Sequence, residues 1–271
     1  MRNAPFHLSH PLTSLTSLTS EIMIELIDIA NVLFLDLECV SAQATYEELD
    51  ETFQELWHHK SATLLKKPAE EATHEEVELM YQNRAAIYAE FGKIICISVG
   101  IVIRDSDKRL KVRLKSFAHH DEAQLLKDFC NLLNQYYSDP NRHFLCGHNI
   151  KEFDIPYLCR RMVVHQIAFP AVLQLHGKKP WETKHLLDTM ELWKFGDNKN
   201  YTGIKVLSAL LGFPSPKDDM DGSMVGKVYW EEQDLDRISH YCEKDVLATV
   251  QLLLRFKRIP ILEDDQVMHV R

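Results

Sequence analysis

Val32-Leu33-Phe34-Leu35-Asp36-Leu37-Glu38 is a short apolar, β-prone run that ends in two carboxylates. Four apolar residues in a row read as a central strand buried on both faces. Asp36 and Glu38 are two apart, so on a strand their side chains leave the same face. Two carboxylates on one face at the end of a buried strand repel each other. Such a pair persists when something positive compensates, a role that suits a divalent metal. Taken alone, Asp-x-Glu arises by chance in many chains.

Outward from this run, strand and helix signals alternate. Residues 42–90 are acidic and helical, and Glu75-Glu76-Val77-Glu78-Leu79-Met80 fits an amphipathic helix with one solvated face. A long β run over 94–103, a turn over 105–108 and an alternating segment over 110–117 predict a hairpin. Residues 121–137 have helical periodicity, with Asp121 placed as an N-cap. A short strand over 143–147 precedes a helix over 154–165. Residues 184–194 and 205–211 read as short helices, Pro214, Pro216 and Gly222 mark a loop, and 235–257 is a long helix. The order is mixed α/β. It predicts one domain from residue 23 to 271, with an acidic helical insertion at about 42–90 after the first strand.

The chain has 271 residues, a net charge of −9 and 45% hydrophobic residues, values that exclude global disorder and a fibrous repeat. The acidic balance excludes a sequence-indifferent nucleic-acid coat but not an enzyme acting on nucleic acid. The charge is uneven. Residues 21–90 carry 16 acidic side chains against 4 basic, whereas 141–212 carry 10 basic against 6 acidic. Trp181, Trp193, Phe195 and Tyr201 are interleaved with the basic residues. They are core residues or stacking platforms, and the clustering is compatible with phosphate contact. Six cysteines without a Cys-x-x-Cys pair read as reduced, buried thiols in a cytoplasmic protein. No apolar run approaches the ~20 residues of a membrane span. Residues 1–22, with the run Leu12-Thr13-Ser14-Leu15-Thr16-Ser17-Leu18, lack the pattern of a secretory signal and read as a disordered lead, with Met23 as the expected native start.

Two further acidic positions stand in suggestive settings. Asp154 lies in Asn149-Ile150-Lys151-Glu152-Phe153-Asp154, where a strand runs out and a helix begins; an N-cap is the simplest reading of it. Asp245 lies in Tyr241-Cys242-Glu243-Lys244-Asp245. Tyr241 and Asp245 are i and i+4, hence neighbours on one helical face. Singly, each is explained without chemistry.

In order, they are not. Asp-x-Glu at a strand end, Asn-x-x-x-Phe-Asp, then Tyr-x-x-x-Asp resembles the three motifs of the DEDD superfamily of 3′→5′ exonucleases. The wording is closest to the proofreading domain of family B DNA polymerases, and closer still to a stand-alone bacterial exonuclease family related to it. Glu90-Phe91-Gly92-Lys93-Ile94-Ile95-Cys96-Ile97-Ser98-Val99-Gly100 resembles the segment leading into that family's second strand, and Lys217-Asp218-Asp219-Met220-Asp221-Gly222-Ser223 its loop before the last helix. The resemblance covers about residues 30–258.

It implies a ribonuclease H-like fold, a mixed five-stranded sheet flanked by helices. It also implies hydrolysis of single-stranded DNA 3′ ends to nucleoside 5′-monophosphates with two divalent cations, Mg2+ or Mn2+. Asp36 would bridge both ions, Glu38 and Asp245 would complete one site, and Asp154 would hold the other ion. Tyr241 would orient the attacking water. The superfamily divides by a Tyr four residues, or a His five residues, before the last Asp, and this chain has both, Tyr241 and His240. Helix geometry favours Tyr241, since His240 is rotated away by about 140°. Asn149 matches a residue that organises the site, Phe153 one that packs behind it or simply fills core. Cys39 stands where relatives often have Thr at the terminal nucleotide. RNA is the rival substrate, a catalytically silent relative the rival class, and the acidic insertion a surface for a protein partner. No membrane role is expected.

Overall fold

The apolar run around Phe34 is the middle of the fold. The computed structural model describes residues 24–197, 201–215 and 220–270. The run lies in β1 (Val32–Ser41), which continues after a helical excursion into β2 (Gly92–Arg104) and β3 (Leu110–Ala118). The excursion holds α1 (Glu51–Leu65) and α2 (His74–Arg84), the expected acidic insertion. After β3 come α3 (Glu122–Tyr136), β4 (Phe144–Gly147), α4 (Asp154–Val164), β5 (Leu186–Asp188), α5 (Thr189–Lys194) and α6 (Ile204–Leu211). A short turn α7 (Val225–Lys227), the long α8 (Leu235–Phe256) and β6 (Val267–His269) close the order.

The sheet order is β5-β4-β1-β2-β3-β6, six strands rather than the expected five. β2 is antiparallel to β1 and to β3, while β4, β5 and β6 pair in parallel. The extra strand, β6, adds three residues to the edge of β3. A second correction concerns 184–194, which had read as one helix. Leu186–Asp188 is a strand and helix begins only at Thr189, because Asp188 caps that helix by accepting from Met190 and Glu191 N–H. The Thr/Ser/Leu lead and Met23 lie outside the described residues, as does Pro216 of the expected loop. Among the described residues no helix is long and apolar enough to cross a membrane.

Period-two alternation along β1 sorts its side chains. Leu33, Leu35 and Leu37 face α3 and α4, in one core with Ile97, Phe129, Leu133, Leu158 and Met162. Phe34 faces α8, in a second core with Leu114, Val246, Val250 and Leu253. Each such fully buried side chain contributes roughly 1.5–3 kcal/mol. The approach of α8 is close: a Cβ on Gly100 of β2 would lie 2.8 Å from Val246 Cγ1. The insertion has its own small core of Tyr46, Leu49, Trp57, Val77 and Tyr81. Its helices start on the Asp50 cap and on the Thr73/Glu76 capping box.

Candidate active site

The alternation that sends Phe34 towards α8 sends Asp36 and Glu38 the same way. Opposite them on β2 stand Ser98 and Cys96. Just beyond, the β1–β2 register slips between Glu38 and Cys39, a bulge after which pairing resumes at Cys39–Ile94. An oxygen of Asp36, one of Glu38 and Cys242 Sγ lie within 4.8 Å of one another.

Asp154 reaches the same place from the other side. β4 pairs with β1 only as far as Phe34–Cys146. Past that point the Leu37 N–H has no strand partner on this side and donates to Asp154 Oδ1 at 3.2 Å. Asp154 is therefore not the N-cap of α4; Phe153 occupies that position and Asp154, 4% exposed, opens the first turn. Asp245, on α8, completes the group, and its charge is felt at both Asp36 and Asp154. Burial first, then the Asp245, Asp154 and Glu38 carboxylates, hold Asp36 well above the usual carboxylate range. Burial raises Asp154 to about 7, with Asp188 and Asp245 adding to it.

Tyr241 lies one turn before Asp245, hydrogen-bonded to it, and is buried. Burial, then Asp245 and Glu38, push its phenol far up, so it stays protonated and keeps its O–H to donate. His240 sits on the outside of α8, its ring 5.8 Å from that of His269. Asn149 is in the left-handed region at φ 70°. Phe153 packs against the sheet core, its ring 5.6 Å from that of Tyr157. Cys39 is half-buried against the same core, its thiol pushed up by burial and by Glu38. Of the four aromatics in the basic segment, Trp181 (66%), Phe195 and Tyr201 are exposed, and Trp193 packs under α8 against Phe256.

Two residues of this arrangement carry no signal in motif spacing. Cys242 donates its S–H to the Asp36 carbonyl at 3.4 Å and to Oδ2 at 3.5 Å, fixing the rotamer of that carboxylate. Asp188, buried, accepts from the N–H groups of Asn149 at 3.0 Å and Lys151 at 3.1 Å as well as from α5. It thereby pins the left-handed turn that delivers Asp154. Asp188→Ala is expected to leave buried N–H groups unpaired, at about 1–3 kcal/mol each, and to cut activity about a hundredfold through misplacement. Urea denaturation and a nuclease assay check the two effects, and unchanged activity would refute the anchoring role.

A family model described as a predicted 3′–5′ exonuclease related to the exonuclease domain of PolB matches residues 87–265. The chain belongs to this family. Membership makes it an exonuclease-type enzyme, with nucleic acid as its substrate class. The matched segment includes Asp154, Tyr241 and Asp245, while Asp36 and Glu38 precede it. Among solved structures, the family B DNA polymerase from the hyperthermophilic archaeon Pyrobaculum calidifontis is similar at 14% identity and a TM-score of 0.48, over 83% of this chain and 24% of that one. No curated protein matches the chain.

Proposed function

We propose that this exonuclease shortens single-stranded DNA from the 3′ end to nucleoside 5′-monophosphates, with two divalent cations, Mg2+ or Mn2+, held by Asp36, Glu38, Asp154 and Asp245. The observation that carries the proposal is the convergence of these four carboxylates from three separate elements, with Asp36 raised by the charge of the other three. Buried like charges destabilise the fold unless cations offset them. The donors are all hard oxygens, which fits Mg2+ or Mn2+ rather than a thiophilic ion. Cys242 Sγ lies beside Asp36 and Glu38 but donates its S–H to Asp36, a supporting role behind the oxygen donors.

When bound, the ions supply Lewis acidity, making water a nucleophile near neutral pH and neutralising charge on the leaving oxygen. The protein's part is positional. The Cys242 S–H holds the Asp36 rotamer, the Leu37 N–H holds Asp154, and the protonated Tyr241 phenol orients water beside Asp245. Asn149 and Phe153 line the approach of the terminal nucleotide, with Cys39 beside them. The exposed Trp181, Phe195 and Tyr201 among lysines suit a single strand threading by stacking and phosphate contact. Six free thiols support a reducing, cytoplasmic setting. The same reading treats residues 23–271 as one catalytic unit and gives the acidic α1–α2 insertion to a basic protein partner.

The test uses 5′-labelled single-stranded DNA and RNA of equal sequence, with Mg2+ or Mn2+. The expected result is a ladder shortening from the 3′ end of DNA, abolished by EDTA; no degradation with either ion refutes the proposal. A ladder on RNA alone replaces the substrate. Tyr241→Phe is expected to lower kcat about a hundredfold by loosening the water. A larger loss in His240→Ala than in Tyr241→Phe overturns the role given to the phenol.

A further inference from the structure

The outer face of α8 carries a second constellation that the exonuclease chemistry does not use. Asp236, His240 and Glu243 follow one another at i, i+4 and i+7, so they share one stripe of the helix. The edge strand β6 lays His269 against that stripe. One ligand atom each from His240, Glu243 and His269 lies within 4.8 Å of the others. Together with Asp236, Ser116 and Ser239 they line a surface cavity of about 650 Å³.

Glu243 is the informative member. It is 8% exposed, unusual for a glutamate on an amphipathic surface helix. Its Oε1 accepts from Ser116 Oγ at 3.0 Å, and its Oε2 faces His269 Nδ1 at 2.5 Å. Ser116 Oγ is in turn 2.7 Å from Ser98 Oγ. The carboxylate is thus oriented from behind by a hydrogen-bonded hydroxyl pair and turned towards two imidazoles. That is the construction of a metal ligand with its outer partners in place.

We propose that His240, Glu243 and His269 form a binding site for one transition-metal dication of the Zn2+ class, separate from the acidic centre. Two imidazoles and one carboxylate select a borderline ion such as Zn2+ or Co2+, whereas Mg2+ prefers a shell of oxygens. Three protein ligands leave further positions for water or for Asp236. The two sites are filled by different ions because their donor atoms differ, and they stand on opposite faces of one helix. An ion here ties β6 to α8 and so fixes the sixth strand of the sheet.

The experiment is Co2+ and Zn2+ binding by equilibrium dialysis and visible absorption, in excess Mg2+ so that the acidic centre is saturated with the harder ion. One Mg2+-resistant Co2+ per chain is expected, with the strong visible bands of a low-coordinate N,O site. Asp36→Asn retains it. His240→Ala and His269→Ala each abolish the bands; both imidazoles are exposed, so the core is untouched, and an unchanged circular dichroism spectrum verifies the fold. Ser116→Ala, which removes only the hydroxyl behind Glu243, weakens binding about tenfold. Absence of a Mg2+-resistant ion, or loss of it in Asp36→Asn with retention in the histidine variants, overturns the proposal. Neither result bears on the nuclease assay, so the two proposals fail separately.

Discussion

Asp36→Asn is expected to lower the exonuclease rate about a thousandfold or more while raising the melting temperature of the metal-free protein. The first effect follows from the position of Asp36 at the meeting point of the other three carboxylates. A divalent ion contributes several kcal/mol to charge stabilisation in the transition state, and each 1.36 kcal/mol is a factor of ten in rate. The second effect has the opposite sign because the same carboxylate is buried among like charges. Its isosteric amide keeps an oxygen for the Cys242 S–H and removes the repulsion. Nuclease rates and thermal melts in EDTA at pH 8 measure both. A variant that keeps its activity, or melts lower than the parent, contradicts the arrangement.

The metal-free protein is expected to lose stability as pH rises from about 4 to about 7, and divalent metal is expected to restore it. Asp154 sits at about 7 in the folded protein, above its unfolded value near 3.8. A carboxyl raised on folding binds more protons folded than unfolded, so its stabilising contribution is complete below about pH 4 and is lost as pH climbs through 7. Asp154→Asn flattens that slope. At pH 8, metal at a hundred times its Kd adds about 2.7 kcal/mol, or about 5–10 °C in Tm for a chain of this size. Melting curves across pH with EDTA, then with Mg2+ or Mn2+, test this. A flat pH profile identical to that of Asp154→Asn would contradict the burial of that carboxylate.

The parts legible in the sequence are those whose signal is local. β1 announces itself by four consecutive apolar residues, α8 by its long 3.6-residue period, and α3 by the Asp121 cap, which the structure bears out. The acidic group was legible because each motif carries its own spacing. Three-residue strands were not. Leu186–Asp188 sits inside a stretch with helical composition, and β6 is stabilised only by pairing with β3. Asp188 and Cys242 were invisible for a related reason: their partners lie 39 and 206 residues away. Three of the four aromatics in the basic segment lie on the surface, an outcome composition alone left open.

The short length of β4 has a consequence for how such a site arises. β4 accompanies β1 only through Phe34, while β1 runs on to Ser41. The stretch of β1 that β4 leaves bare is where an unpaired amide meets Asp154. The acidic group thus sits in a notch cut into an otherwise continuous sheet, floored by backbone that a longer neighbour would have covered. Extending β4 by three residues would complete the hydrogen-bond ladder and evict Asp154. In this enzyme the sheet yields strand pairing at one corner, and that corner is where charge collects.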